Sequence, residues 1–302
     1  MKNKKKILIV GGTGFIGYHL AKKCLKKSWL VISISSKYPK KIRFLKKVKY
    51  IRCDITNKKL LKKSINDTFD YVVNLGGYVD HSNKKTTFKS HYEGCKNLAQ
   101  IFLEKKISSF IQIGSSLEYG KSKSPQKENI KCNLKSIRST YGKAKLLSSN
   151  YVINLFKKKK FPSTVIRFYL VYGPKQDINR FIPTLINGCV KNKKFPTSDG
   201  NQLRDFLYID DAIEAIIMCL ENKKSRGQIL NIGSGKPEII KRVIETVKRI
   251  SKGGHPQYGM FKLRKFDIPE LYPNISKVKN KIKWKPKIIL KRGLEITINS
   301  FR

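Results

Sequence analysis

The feature that most constrains this chain is the run Gly11-Gly12-Thr13-Gly14-Phe15-Ile16-Gly17, which follows four apolar residues, Ile7 to Val10, and opens a helical pattern. Glycines at this spacing let the backbone turn tightly and approach a pyrophosphate, while the helix N-terminus behind them offers N–H donors and the positive end of a dipole. A strand, a glycine turn and a helix, with a second strand following, form the opening of a dinucleotide-binding unit. Gly11, Gly14, Phe15, Ile16 and Gly17 are therefore the first candidate cofactor-binding residues.

The rest of the first two thirds extends that unit. Candidate strands at Ile7 to Val10, Leu30 to Ile34, Val48 to Arg52, Tyr71 to Leu75, Phe110 to Gly114 and Thr164 to Phe168 alternate with helical patterns. The helices are expected at 15–26, 58–65, 89–104 and 139–156, each long enough to cross a sheet face. The expected fold class is α/β, a Rossmann-type doubly wound parallel sheet. After Phe168 the texture changes: Tyr172-Gly173-Pro174 is a turn, 179–191 reads as a helix, and shorter elements follow. Residues 1–170 are thus expected to form the NAD(P)-binding domain, and 171–302 a smaller α/β lobe interleaved with it that binds substrate.

The carboxylate that grips a ribose 2′-hydroxyl belongs about 20 residues past the glycine loop, at the end of the second strand. Here that place holds Ser35 and Ser36, with Lys37, Lys40, Lys41 and Arg43 close behind. Hydroxyls and a neighbouring cation suit a 2′-phosphate, so the reading leans to NADP(H) over NAD(H). Asp54 and Ile55, after the third strand, fall where an adenine ring is contacted.

Tyr141 and Lys145 lie four apart near the start of a helix and project from one face. An ammonium and a cationic nicotinamide beside the phenol both favour its ionised form, making Tyr141 a usable acid and base near neutrality. Ser115 ends the fifth strand in Gly114-Ser115-Ser116-Leu117-Glu118-Tyr119-Gly120, at the sheet edge where such folds bind ligands.

In this order GGTGFIG, GSSLEYG and YGKAK resemble the extended short-chain dehydrogenase/reductase family, in its nucleotide-sugar epimerase, dehydratase and reductase branch. The turn Asn74-Leu75-Gly76-Gly77, the segment from Arg167 to Pro174, the run Arg204 to Asp211, and Trp284 with Pro286, Gly293 and Leu294 match further family motifs. The resemblance implies a catalytic set of Ser115, Tyr141 and Lys145, with Tyr141 and Lys145 also meeting the cofactor beside Gly76. It implies a nucleotide-diphosphate sugar as substrate, held by Ser116, Asn179, Arg204 and Arg264, and a homodimer built through the long helices. His91 and Leu170 stand where the family usually has asparagines. His91 is expected to be a structural substitute and not a new base.

Dehydratases of the family carry an acidic pair immediately after the Ser or Thr; here that place is Ser116-Leu117, with Glu118 one position late, so dehydration is disfavoured. The reading leans to reduction of a 4-keto-6-deoxyhexose nucleotide with Tyr141 as proton donor, and keeps 4-epimerisation through transient oxidation at C4 as the alternative. A third reading, a non-catalytic polyanion-binding protein, comes from the net charge of +46, with 66 Lys and Arg against 20 Asp and Glu. The lysines occur throughout the chain and the Ser, Tyr and Lys set is intact, so nucleic acid is not the expected partner. Six scattered cysteines with no C-x-x-C pair point to reduced thiols and a cytoplasmic address; no membrane span and no metal are expected.

Overall fold

Alternation along the first strand assigns its residues to two cores: Ile7 and Ile9 face one, Leu8 and Val10 the other. The same two-sided pattern repeats in the neighbouring strands, so the sheet is covered on both faces. The protein is described by a computed structural model over residues 4–78, 80, 82–261 and 268–302.

The strands are β1 (Lys6–Val10), β2 (Leu30–Ser35), β3 (Val48–Arg52), β4 (Tyr71–Asn74), β5 (Ser109–Ser115), β6 (Ser163–Phe168), β7 (Leu170–Tyr172), β8 (Lys194–Pro196), β9 (Leu203–Tyr208), β10 (Ile229–Ile232), β11 (Pro237–Ile239), β12 (His255–Gln257) and β13 (Glu270–Leu271). The helices are α1 (Phe15–Lys26), α2 (Lys58–Ser64), α3 (Lys84–Phe88), α4 (Gly94–Leu103), α5 (Thr140–Lys159), α6 (Phe181–Val190), α7 (Ile209–Glu221), α8 (Ile240–Ser251), α9 (Ser276–Ile282) and α10 (Leu290–Asn299).

Seven strands form one parallel sheet in the order β10-β6-β5-β4-β1-β2-β3. The order reverses between β1 and β4, which opens a crevice at their carboxyl ends. The six expected strands are all present. The seventh, β10, comes from beyond residue 171 and pairs with β6, Leu230 opposite Ile166; four residues among less regular elements carry no periodicity that assigns them to this sheet. A second sheet is built on β9, with β11 antiparallel and β13 and β7 parallel to it, and β8 pairs with β12 separately.

The helix expected at 89–104 begins earlier. Asn83 caps α3 by accepting from the Thr86 amide at 2.9 Å. The chain then passes through a wider π-helical turn, Lys89–Glu93, into α4. The added residues, Lys84 to Phe88, hold no apolar stripe, so periodicity does not reveal them. Ser139 caps α5 through the Gly142 amide at 3.0 Å, and the helix closes on Lys160 in the left-handed conformation. Among the described residues the cysteines are unpaired and no helix is long and apolar enough to cross a membrane.

Candidate active site

Gly11 has φ +79°, which lets the chain leave β1 and turn at once into α1. Gly14, the residue before α1, faces the crevice: a Cβ there would have only the Gly11 carbonyl near it, at 3.3 Å, and would otherwise project into the cavity. Among the described residues no side chain caps α1, and its first turn holds no acidic residue, so its first N–H groups face the crevice without a side-chain acceptor. This cradle fits a pyrophosphate, and hence an NAD(P)-type cofactor.

One cavity of about 650 Å³ holds the site. Its wall includes Gly11, Gly14, Phe15, Ile16 and Gly17 together with Ser115, Ser116, Tyr141, Lys145 and Asn179. The structure thus brings the phosphate loop, the three candidate catalytic residues and two candidate substrate contacts into one space. Ser35, Asp54, Ile55 and Gly76 lie along or just past the carboxyl ends of β2, β3 and β4, outside that wall. Ser35 Oγ accepts from the Thr13 amide at 3.5 Å, Ser36 is exposed, and Asp54 accepts from the Thr56 amide at 2.9 Å. Arg204 also lies outside the wall and donates to the carbonyls of Leu203 and Pro269. Arg264 falls outside the described residues.

Lys145 is buried and donates to the Ile113 carbonyl at 2.7 Å, with its ammonium 5.7 Å from the centre of the Tyr141 ring. Burial pushes its pKa down to about 8, against the pull of Glu118. The Tyr141 hydroxyl hydrogen-bonds to Ser115, yet burial raises its pKa to about 12; the Ser115 bond and nearby Arg180 oppose that rise and Glu118 adds to it. Among the protein's own groups, desolvation outweighs the Ser115 bond that favours the phenolate.

Glu118 has no access to solvent. Its Oε1 accepts from the Ser115 amide at 2.8 Å and its Oε2 from Arg167 Nε at 2.8 Å, closing a capping box that fixes the turn Ser116–Tyr119 behind Ser115. His91 sits in the π-helical turn with its ring edge-on to Tyr141, 4.8 Å between centroids, and its Nε2 lies 3.2 Å from the Tyr78 carbonyl. Ser148 Oγ donates to the His91 carbonyl at 2.8 Å, so the turn is held against α5. Leu170 is partly exposed on the cavity wall, which also includes Gln176, Asp177, Arg180 and Phe181. Sequence reasoning had no signal for Asp177 or for the partner of Glu118, because both depend on residues far along the chain.

The model of the NAD dependent epimerase/dehydratase family matches residues 7–233. The chain belongs to that family. As a member it is an enzyme, and its fold and cradle are those of an NAD(P)-type cofactor site. It is 27% identical over 318 residues to a UDP-N-acetyl-alpha-D-glucosaminuronate decarboxylase of Bacillus cytotoxicus, covering 99% of this chain and 98% of the relative. A UDP-glucuronate 4-epimerase of Thermodesulfobacterium geofontis is 29% identical over 313 residues, covering 97% and 94%. Among solved structures, the UDP-glucuronic acid 4-epimerase of Bacillus cereus, in complex with UDP-glucuronic acid and NAD, has a TM-score of 0.86 at 27% identity, covering 98% of each chain. The UDP-glucose 4-epimerase of Thermotoga maritima shares the fold with a TM-score of 0.91 at 23% identity, again covering 98% of each.

Proposed function

We propose that this family member is a nucleotide-diphosphohexose 4-epimerase working with retained NAD. The observation that carries the reading is the state of Glu118. Elimination of water needs an acid and a base besides the group that serves C4, and Glu118, the nearest candidate, has both oxygens committed to Ser115 and Arg167. Tyr141 is left as the proton carrier at the cavity wall, and one reversible proton carrier is enough for oxidation and re-reduction at a single carbon.

In this reading Tyr141 Oη takes the proton of the C4 hydroxyl and gives it back when the hydroxyl re-forms. Ser115 Oγ, bonded to Tyr141, holds the C4 oxygen, and Lys145 contributes positive charge beside the phenol. NAD held in the cradle of Gly11, Gly14 and the α1 N-terminus would supply the hydride acceptor and donor for C4 and a positive charge that favours the phenolate of Tyr141. Residues 1–170 hold the cofactor, with Gly76, Asp54 and Ile55 toward its adenosine half. Residues 171–302 hold the sugar nucleotide: Asn179 belongs to the segment that covers the nucleotide, and Arg204 and Arg264 are the arginines assigned to its diphosphate. A homodimer packed through the long helices belongs to the same proposal.

The lean to NADPH-dependent reduction draws less support. Two of the cations expected to serve a 2′-phosphate beside Ser35 and Ser36, Lys40 and Arg43, are paired with Asp177 instead, and the aligned relatives include 4-epimerases. The test is to incubate the purified protein, without added cofactor, with UDP-glucose and with UDP-glucuronic acid and follow the products by NMR. A C4 epimer formed to equilibrium is expected. Accumulation of a 4-keto-6-deoxy sugar, or turnover only on a keto sugar with added NADPH, overturns the reading.

A further inference from the structure

Among the described residues only three cationic side chains are buried: Arg43, Lys145 and Arg167. Lys145 and Arg167 belong to the candidate site, the latter by fixing Glu118. Arg43 lies elsewhere, in a short 3-10 turn (Lys41–Arg43) on the connection from β2 to β3. A surface connection has no need of a desolvated guanidinium, and such a group is retained only when its donors are well met.

Its partners lie on the segment that follows β7. Arg43 Nε and Nη2 donate to the Lys175 carbonyl at 2.9 and 2.6 Å, and Nη2 meets Asp177 Oδ2 at 3.0 Å. Lys40 Nζ meets Asp177 Oδ1 at 3.2 Å, so that carboxylate has a cation on each oxygen. Lys175 has φ +65°, a conformation unfavourable for lysine, which turns its carbonyl to Arg43 while its ammonium returns to the Ile42 carbonyl at 2.8 Å and the Tyr18 hydroxyl at 2.9 Å. His19 Nε2 lies 2.9 Å from the Pro174 carbonyl.

The two joined segments flank the cofactor cradle. One leaves β2 at Ser35, whose Oγ meets the Thr13 amide of the phosphate loop at 3.5 Å; the other follows β7 and contributes Gln176, Asp177, Asn179 and Arg180 to the wall that also holds that loop. Tyr18 and His19, which anchor the second segment, stand on α1 directly behind that loop.

We propose that Arg43 and Asp177 form a latch across the rim of the dinucleotide cleft that slows release of the cofactor, Arg43 acting as a positioning residue through the 174–177 turn. The proposal rests on the reading of the cavity as an NAD site. An epimerase returns its hydride in every cycle and gains from a cofactor that stays bound, whereas a reductase must exchange it.

The test loads the full-length protein with NADH, mixes it with a large excess of NAD, and follows the loss of bound-NADH fluorescence. Release is expected to be at least tenfold faster in Arg43→Ala and several-fold faster in Asp177→Asn. Arg43→Lys, which keeps the charge but loses the two-pronged contact, should fall between Arg43→Ala and wild type. The double variant should release no faster than Arg43→Ala, because both changes open one latch. Asp177 is only partly buried, so Asp177→Asn keeps the test decisive if Arg43→Ala fails to fold. Release rates within twofold of wild type in the folded variants overturn the latch, whether or not the protein epimerises. Faster release from a protein that does not epimerise supports the latch and fails the proposed reaction alone.

Discussion

Glu118 and Arg167 form an ion pair at 2.8 Å with both side chains closed to solvent, directly behind Ser115. Its geometry makes Glu118 a structural carboxylate. Glu118→Gln should leave Arg167 buried without a counter-charge and cost about 3–5 kcal/mol of stability. Thermal unfolding reads the loss. Protein that remains folded at low temperature should keep measurable turnover, whereas a glutamate acting as catalytic acid would leave none.

Tyr141→Phe removes the hydroxyl, hydrogen-bonded to Ser115, that the proposed mechanism uses for proton transfer. Turnover should fall by at least a thousandfold, while NADH binding, measured by fluorescence titration, should change by less than about threefold. A variant retaining a tenth of wild-type activity would remove Tyr141 from the mechanism.

Lys145 is held at a pKa of about 8 by burial, below the 10.5 of a free lysine. Its ammonium is charged below that value and neutral above it. A mechanism that uses the charge therefore predicts a kcat/KM that falls as pH rises through about 8. For stability the sign is opposite: the unfolded chain holds the proton more tightly, so burying Lys145 is unfavourable below about pH 8 and that burden lifts as pH rises toward 10.5. Lys145→Met should accordingly abolish turnover with no drop in the unfolding temperature at pH 7, the relief of desolvation offsetting the lost bond to the Ile113 carbonyl.

Asp205 is buried on β9 and accepts from the Ser234 amide at 2.7 Å, the Ser234 hydroxyl at 2.8 Å and the Gly235 amide at 2.7 Å. Burial nevertheless lifts its pKa to about 6. The folded protein then binds more protons than the unfolded chain between about pH 4 and 6, so this group's contribution to stability declines as pH rises through that window. Asp205→Asn should be destabilising by about 2–3 kcal/mol at pH 7, because an amide NH2 replaces one acceptor facing buried donors. Denaturant unfolding at pH 5 and pH 7 checks both the sign and the size.

Much of this protein is local and legible in its sequence. The alternation of Ile7 to Val10, the glycine run after it and the helical stripe from Phe15 to Lys26 are short-range patterns, and the backbone obeys them because side-chain direction repeats every two residues in a strand and every three to four in a helix. The same rule places Tyr141 and Lys145 on one face of α5, and Ser115 at the end of β5 follows from strand length alone.

What the sequence could not carry is whatever joins distant residues or depends on how deeply a group is buried. Glu118 meets a partner 49 residues away and Arg43 meets a carbonyl 132 residues away. Periodicity does not reach across such distances, and in a chain with 66 Lys and Arg residues the cations that matter look like the rest. Only the packed fold decides which few lose their water. That desolvation raises the pKa of Tyr141, lowers the affinity of Lys145 for its proton, and commits Arg43 to Asp177 and the Lys175 carbonyl and Arg167 to Glu118, because a charge removed from water is stable only where fixed counter-groups replace the solvent.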